Sequence, residues 1–174
     1  MKALKIIGVI VFALLLILLV GGLLLPKKIY FEETRVIHSD PVAAFGQVND
    51  LHYWEKWLPW FEMDPKTSIT YTGPETGEGA TFHWDGPVSG RGDLTILESE
   101  PYERVHYAID FYEQGASEGG FYFEPVEMGT EVSWYMQMDS LSYPFERWMG
   151  MLMPMMMKKD FQQGLENIDK VLTK

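Results

Sequence analysis

The chain has 174 residues, room for one domain with a sizeable core. It contains no cysteine, which excludes disulfide frameworks, thiolate metal sites, cysteine nucleophiles and lipidated-cysteine anchors. All 25 acidic residues but only 10 of the 14 Lys and Arg lie beyond Lys28, so the later part carries a formal charge of −15 and offers no clustered cations to a nucleic-acid backbone.

Residues 6–25 form twenty consecutive positions without a charged or strongly polar side chain, flanked by Lys2 and Lys5 before and by Pro26, Lys27 and Lys28 after. At 1.5 Å per residue they span about 30 Å, the thickness of a bilayer's hydrocarbon core. Sixteen of the twenty are Leu, Ile, Val or Phe, which favours insertion by roughly 5–10 kcal/mol. The run is longer than a secretory signal core and no A-x-A-like site follows it. The sequence therefore predicts an uncleaved single-pass anchor over residues 1–28 in the cell membrane. Lysines flank both sides, so charge does not fix the orientation; the short N-terminal tail favours an extracytoplasmic domain.

Residues 29–38 mix β-branched and aromatic side chains with charges and predict a strand. Ser39-Asp40-Pro41 then opens a helix, a capping side chain followed by proline in the first turn, with Val42, Phe45 and Val48 on its apolar stripe. Asn49-Asp50 breaks it and caps a second short helix that Pro59 ends. This second helix and its exit hold Tyr53, Trp54, Trp57, Trp60 and Phe61. So many rings form either a plug at one end of a sheet, the wall of an apolar cavity, or an interfacial tryptophan belt.

Six strands follow, at residues 67–72, 80–85, 90–100, 104–112, 119–125 and 130–139. They are separated by the glycine-rich loop 73–79 and by turns at Gly86-Pro87, Pro101-Tyr102, Glu113-Gln114-Gly115 and Glu127-Met128-Gly129. Val105, Tyr107, Ile109 and Phe111 alternate with polar or small neighbours, as do Val132, Trp134, Met136 and Met138, which predicts an antiparallel sheet with one face on a core. Residues 142–174 predict one long helix to fill that face. Its apolar residues recur at Phe145, Met149, Leu152 and Met156, then at Phe161, Leu165, Ile168 and Leu172, the two runs being out of phase by one residue. Pro154 lies near the slip and predicts a kink. Six methionines make the first half apolar nearly all round, so that it needs cover on several sides.

One strand, two short helices, six strands and a long C-terminal helix is the order of the helix-grip fold. The stretches W-x-x-W-x-P-W-F-x-x-D-P (54–65), Y-x-G-P-x-x-G-x-G-A (71–80), G-x-G-D-L-T-I (90–96) and F-x-F-E-P-V…G-T-x-V-x-W (121–134) make residues 29–174 resemble the polyketide cyclase/START-like (SRPBCC) superfamily, in a bacterial branch with one N-terminal membrane helix. The resemblance implies an α+β domain in which a curved antiparallel sheet of about seven strands grips the C-terminal helix around an internal cavity. It also implies an apolar or amphipathic small molecule as ligand, with transfer at the membrane surface as a further role. Catalytic groups differ between subfamilies and are not carried over.

On that basis Trp54, Trp57, Trp60, Trp84, Trp134, Trp148, Met149 and Met153 form the candidate lining pool. The partners expected are this small molecule and, through the first helix, the lipid bilayer; no metal or other cofactor is expected. A rival reading, a cyclase, dehydratase or hydrolase, needs an inward-facing titratable group, and His83, His106, Asp93 and Asp110 are its candidates. A third is an envelope scaffold without a ligand, its acidic surface meeting a basic partner. The methionine-rich half-helix further predicts a cavity opening near Pro154 on the membrane-proximal side, with Met151, Met155 or Met157 at its rim.

Overall fold

The computed structural model describes residues 2–112 and 115–174. Helix α1 (Lys2–Leu24) leads, and its segment Leu4–Leu24 is long and apolar enough to cross a membrane. After it come β1 (Ile29–Ile37), α2 (Pro41–Asn49), a 3₁₀ turn (Leu51–Tyr53), α3 (Trp54–Trp57) and α4 (Pro59–Met63). Strands β2 (Ser68–Thr72), β3 (Thr81–Gly86), β4 (Gly90–Glu100), β5 (Arg104–Asp110), β6 (Ala116–Val126) and β7 (Gly129–Met138) follow, then α5 (Phe145–Leu172).

The local signals act as their chemistry requires. Asp40 caps α2 by accepting from the Ala43 amide at 2.9 Å, with Pro41 in the first turn, and Asp50 caps the 3₁₀ turn through the His52 amide at 3.0 Å. Pro59 does more than end a helix: lacking an N–H that a first-turn residue would not use, it also opens α4. Strand β6 starts three residues earlier than expected. The turn placed at Glu113-Gln114-Gly115 has its first two residues outside the described residues.

All seven strands are antiparallel, in the order β1-β7-β6-β5-β4-β3-β2. The first strand thus closes on the last, from Ile29 opposite Met138 to Ile37 opposite Thr130. A register shift between Ile96 and Glu98 bends β4. The expected alternation is realised: Val105, Tyr107 and Ile109, and Val132, Trp134 and Met136, all point into the core. This is the helix-grip architecture, α+β, with α5 held in the curve of the sheet.

Helix α5 continues through Pro154, and its two halves lie in different surroundings. In the second, Phe161, Leu165 and Ile168 are buried, and Phe161 stacks on Trp134 with ring centroids 3.9 Å apart and planes 8° from parallel. Gly164 permits this approach, since a Cβ there would lie 2.7 Å from the Trp134 ring. The first half lacks the cover expected for it: Phe145, Met149, Leu152 and Met156 are 68, 50, 43 and 62 % exposed, and Met151 and Met155 are exposed too.

That half-helix meets α1 on another face. Trp148 Nε1 donates to the Leu18 carbonyl at 3.1 Å, Tyr143 Oη to the Leu19 carbonyl at 2.8 Å, and Arg147 Nη1 to the Gly22 carbonyl at 3.1 Å. Gly22 is among the last four carbonyls of α1, which have no amide donor within the helix and where a cationic group is favoured, whereas Leu18 and Leu19 lie one turn earlier and offer a second lone pair. Gly21 makes room, as a Cβ there would lie 2.6 Å from the Trp148 indole. Nearby, the Leu141 amide bonds the Lys27 carbonyl at 2.8 Å and Lys28 pairs with Asp139 at 2.9 Å.

Candidate ligand-binding cavity

Between the sheet, α3, α4 and α5 lies a cavity of about 420 Å³, within the range of small-molecule sites. Strand alternation builds it. Phe82 and Trp84 of β3, Leu94 of β4, Tyr107 and Ile109 of β5, Ser117 of β6, and Trp134, Met136 and Met138 of β7 all project from the inner face. Trp54, Leu58, Trp60, Phe61 and Met63 close it from the short helices, and Met153 and Met157 from α5. The most exposed lining residues are Met63 of α4 and Val88 of the β3–β4 turn; Met153 and Met157 are half-buried.

Glycine shapes the inner face. A Cβ on Gly92 would lie 2.5 Å from the Trp84 ring, and one on Gly119 would lie 2.5 Å from the Tyr107 hydroxyl. Both rings lie flat over neighbouring strands where any larger residue would lift them into the cavity.

Of the eight lining candidates, Trp54, Trp60, Trp84, Trp134 and Met153 border the cavity. Trp57 is buried behind them, edge-on to Trp134 at 5.7 Å, with its indole N–H on the Gln47 carbonyl. Trp148 packs on α1, and Met149 is on the exposed face of α5. Of the three rim candidates, Met157 lines the cavity while Met151 and Met155 do not.

The four titratable candidates lie on the other face of the sheet. His83 and Asp93 are cross-strand partners, Nδ1 to Oδ1 at 2.6 Å, and His83 Nε2 meets Thr72 Oγ1 at 2.9 Å. Burial tends to raise the Asp93 carboxyl, but the Tyr112 hydroxyl and His83 outweigh it and hold it below its ordinary value. His106 contacts Tyr135 Oη at 2.9 Å and Glu118 at 3.5 Å, and Asp110 is exposed. None of the four borders the cavity, so they supply it with no acid–base pair. Among the described residues no group of three or more His, Asp or Glu is placed to hold a metal ion.

Of the polar lining residues, Tyr107 follows from strand alternation, whereas Asp64 and Ser117 were not anticipated from the sequence. Asp64, at the end of α4, is 3 % exposed, and its Oδ2 accepts from the Val88 and Ser89 amides at 2.8 Å each and from Ser89 Oγ at 3.0 Å. The Ser89 amide first, then the Val88 amide and the Ser89 and Thr67 hydroxyls, hold its carboxyl down at about 2. Asp64 is thus an anionic clasp on the β3–β4 turn. Tyr107 is buried, accepts from Trp134 Nε1 at 2.7 Å, and is pushed well above its ordinary range by burial, so it stays protonated. Ser117 is 4 % exposed and its Oγ has no partner among the described residues. The signal for Ser117 was available: it is in phase with Phe121 and Phe123 along β6.

A curved sheet gripping a long helix around an apolar cavity defines a class of small domains that hold hydrophobic ligands. Residues 28–173 match the family described as polyketide cyclase / dehydrase and lipid transport, and the chain belongs to this SRPBCC-type family. No curated protein matches the chain in sequence. Among solved structures it is similar to a protein from Arthrobacter aurescens (22 % identity, 83 % of this chain and 86 % of that one, TM-score 0.59). It is similar also to one from Chromobacterium violaceum (19 %, 82 % and 95 %, 0.58) and to Ara h 8.0201 (15 %, 84 % and 99 %, 0.58). At these identities the likeness is one of fold.

Proposed function

We propose that the chain is a membrane-anchored binding protein, residues 1–28 forming the anchor and residues 29–174 the domain, which holds an apolar or lipid-like small molecule and exchanges it with the bilayer. The observation that carries this reading is the cavity, about 420 Å³ lined by four indoles, five methionines and aliphatic side chains, with its one ionised group among the described residues, Asp64, already committed through Oδ2 to the β3–β4 turn. Such a lining gains from burying hydrocarbon at roughly 25 cal/mol per Å² and gives a charged ligand no counter-ion. Methionines adapt their shape to guests of varied outline.

The bilayer supplies the ligand in this reading, for three reasons. α1 has the length and composition of a membrane span. Gly150 of α5 abuts Ile29, the first residue of β1, and Met138, opposite Ile29, borders the cavity, so one side of the cavity lies at the end of the domain where α1 attaches. The uncovered apolar face of α5 lies on that same half-helix. The −15 charge beyond Lys28 repels anionic headgroups, and the methionine face offsets it by burying apolar area in the interface. In this reading the domain lies on the extracytoplasmic side, which the short stretch before the apolar run favours.

The test is organic extraction and mass spectrometry of the full chain purified in polymer-bounded native membrane discs. A stoichiometric apolar compound, depleted in a Met153→Trp variant that narrows the cavity, is expected. The same lipid profile from the wild type, the variant and an unrelated single-span protein would overturn the reading.

A further inference from the structure

The hydrogen-bonding capacity of the cavity lining is almost entirely spent. The four indole N–H groups donate to the Val48 carbonyl (Trp54), Asp160 (Trp60), the Ser89 carbonyl (Trp84) and the Tyr107 hydroxyl (Trp134). Asp64 and Ser89 are bound to each other and to the β3–β4 turn. Two hydroxyls remain. Ser117 Oγ is buried without a partner, and Tyr107 Oη accepts from Trp134 but donates to nothing among the described residues. They are neighbours: Tyr107 lies opposite Gly119 with its hydroxyl over that residue, and Ser117 is two positions away on the same face, about 7 Å along the strand. Their position on adjacent strands at the inner face makes a polar strip in a hydrocarbon wall.

A buried hydroxyl without a partner is costly, and one such hydroxyl near a second whose proton is unspent asks for an acceptor from outside the protein. Both are neutral donors, because burial keeps the Tyr107 proton on. Among the described residues no cation lines the cavity to receive a carboxylate, whose burial unpaired is prohibitive; the one anion there, Asp64, has its Oδ2 committed to Val88 and Ser89. Given the binding function proposed above, on which this rests, we infer that the ligand is an uncharged molecule bearing a carbonyl oxygen. That oxygen accepts from the strip, at Ser117 Oγ or Tyr107 Oη, while the hydrocarbon body fills the aromatic and methionine-lined space. The strip fixes which end of the ligand enters first.

The test uses the full chain in lipid nanodiscs and three probes of one skeleton, butylbenzene, butyrophenone and 4-phenylbutyrate, each radiolabelled and partitioned against empty discs. Butyrophenone is expected to be retained most tightly and the carboxylate least. Ser117→Ala removes a hydroxyl that bonds nothing among the described residues, so it leaves the ligand-free fold at least as stable in thermal unfolding while lowering butyrophenone affinity about three- to tenfold and leaving butylbenzene unaffected. Tyr107→Phe, which also deprives the Trp134 N–H of its acceptor, is expected to show the same selective loss at some expense of stability. Equal retention of butylbenzene and butyrophenone, unchanged by Ser117→Ala, would overturn the strip and leave the apolar cavity standing. Retention of the carboxylate as tight as that of the ketone would overturn the neutrality of the ligand. Failure of every probe to exceed empty discs would overturn the binding function and the strip together.

Discussion

Asp64 links three parts of the chain through one carboxylate, so its protonation has a defined sign. Its folded value, about 2, lies below the ordinary 3.8; the stability it contributes is therefore fully present above the ordinary value and lost as pH falls from there through about 2. Wild type is expected to lose stability over that window, and Asp64→Asn, lower at neutral pH, to show a flatter profile, read by thermal unfolding at stepped pH. Gly164 is a second residue on which much rests, because its missing Cβ sets how closely α5 lies on Trp134. Gly164→Ala is expected to cost about 1–3 kcal/mol in chemical denaturation through overpacking. Trp54, Trp134 and Tyr107 could be found as core or lining residues from aromatic density and strand alternation. Asp64 could not, because D-P after α4 reads as an ordinary exit, and its role depends on Val88 and Ser89, which no local pattern brings near.

At the level of elements, the seven strands and the long helix follow from alternation, glycine and proline punctuation and 3.6-residue periodicity. What periodicity does not carry is solvent. The runs Phe145-Met149-Leu152-Met156 and Phe161-Leu165-Ile168-Leu172 look alike in sequence, yet only the second packs on the sheet; the one-residue phase slip marks the change of surroundings without naming them. If the first run faces lipid, nitroxides introduced singly at Met149, Leu152 and Met156 will be relaxed more by oxygen than by a water-soluble nickel complex, and one at Lys159 the reverse. The absence of native cysteine makes such labelling clean. Equal access of the nickel complex to all four sites would remove the proposed contact. The junction between α1 and α5 is open to a separate test: Gly21→Leu, which fills the space of the Trp148 indole, is expected to free the domain and raise protease cleavage between residues 25 and 29 severalfold.

For the whole molecule, charge and apolar surface act in opposition. The −15 beyond Lys28 is screened by salt over about 10 Å at 0.1 M, so ligand exchange with anionic vesicles is expected to speed up as salt rises, while exchange with zwitterionic vesicles stays level. A flat response for both would mean that the domain does not work at the headgroup plane. The hydrogen bonds from Tyr143, Arg147 and Trp148 to the carbonyls of residues 18–22 also have a consequence for the membrane itself. They clothe the last two turns of α1 in indole, phenol and guanidinium on one side only. If α1 spans the bilayer as proposed, the stretch left to acyl chains along that side ends near Leu18, about 9 Å short of Leu24 on the other. A span of unequal length on its two sides tilts, and the leaflet beside its shorter flank thins. The lipids next to the methionine face would then be the least well packed in their neighbourhood and the easiest to draw out, and polarised infrared measurement of helix tilt, with and without Trp148→Ala, shows whether α1 leans in this way.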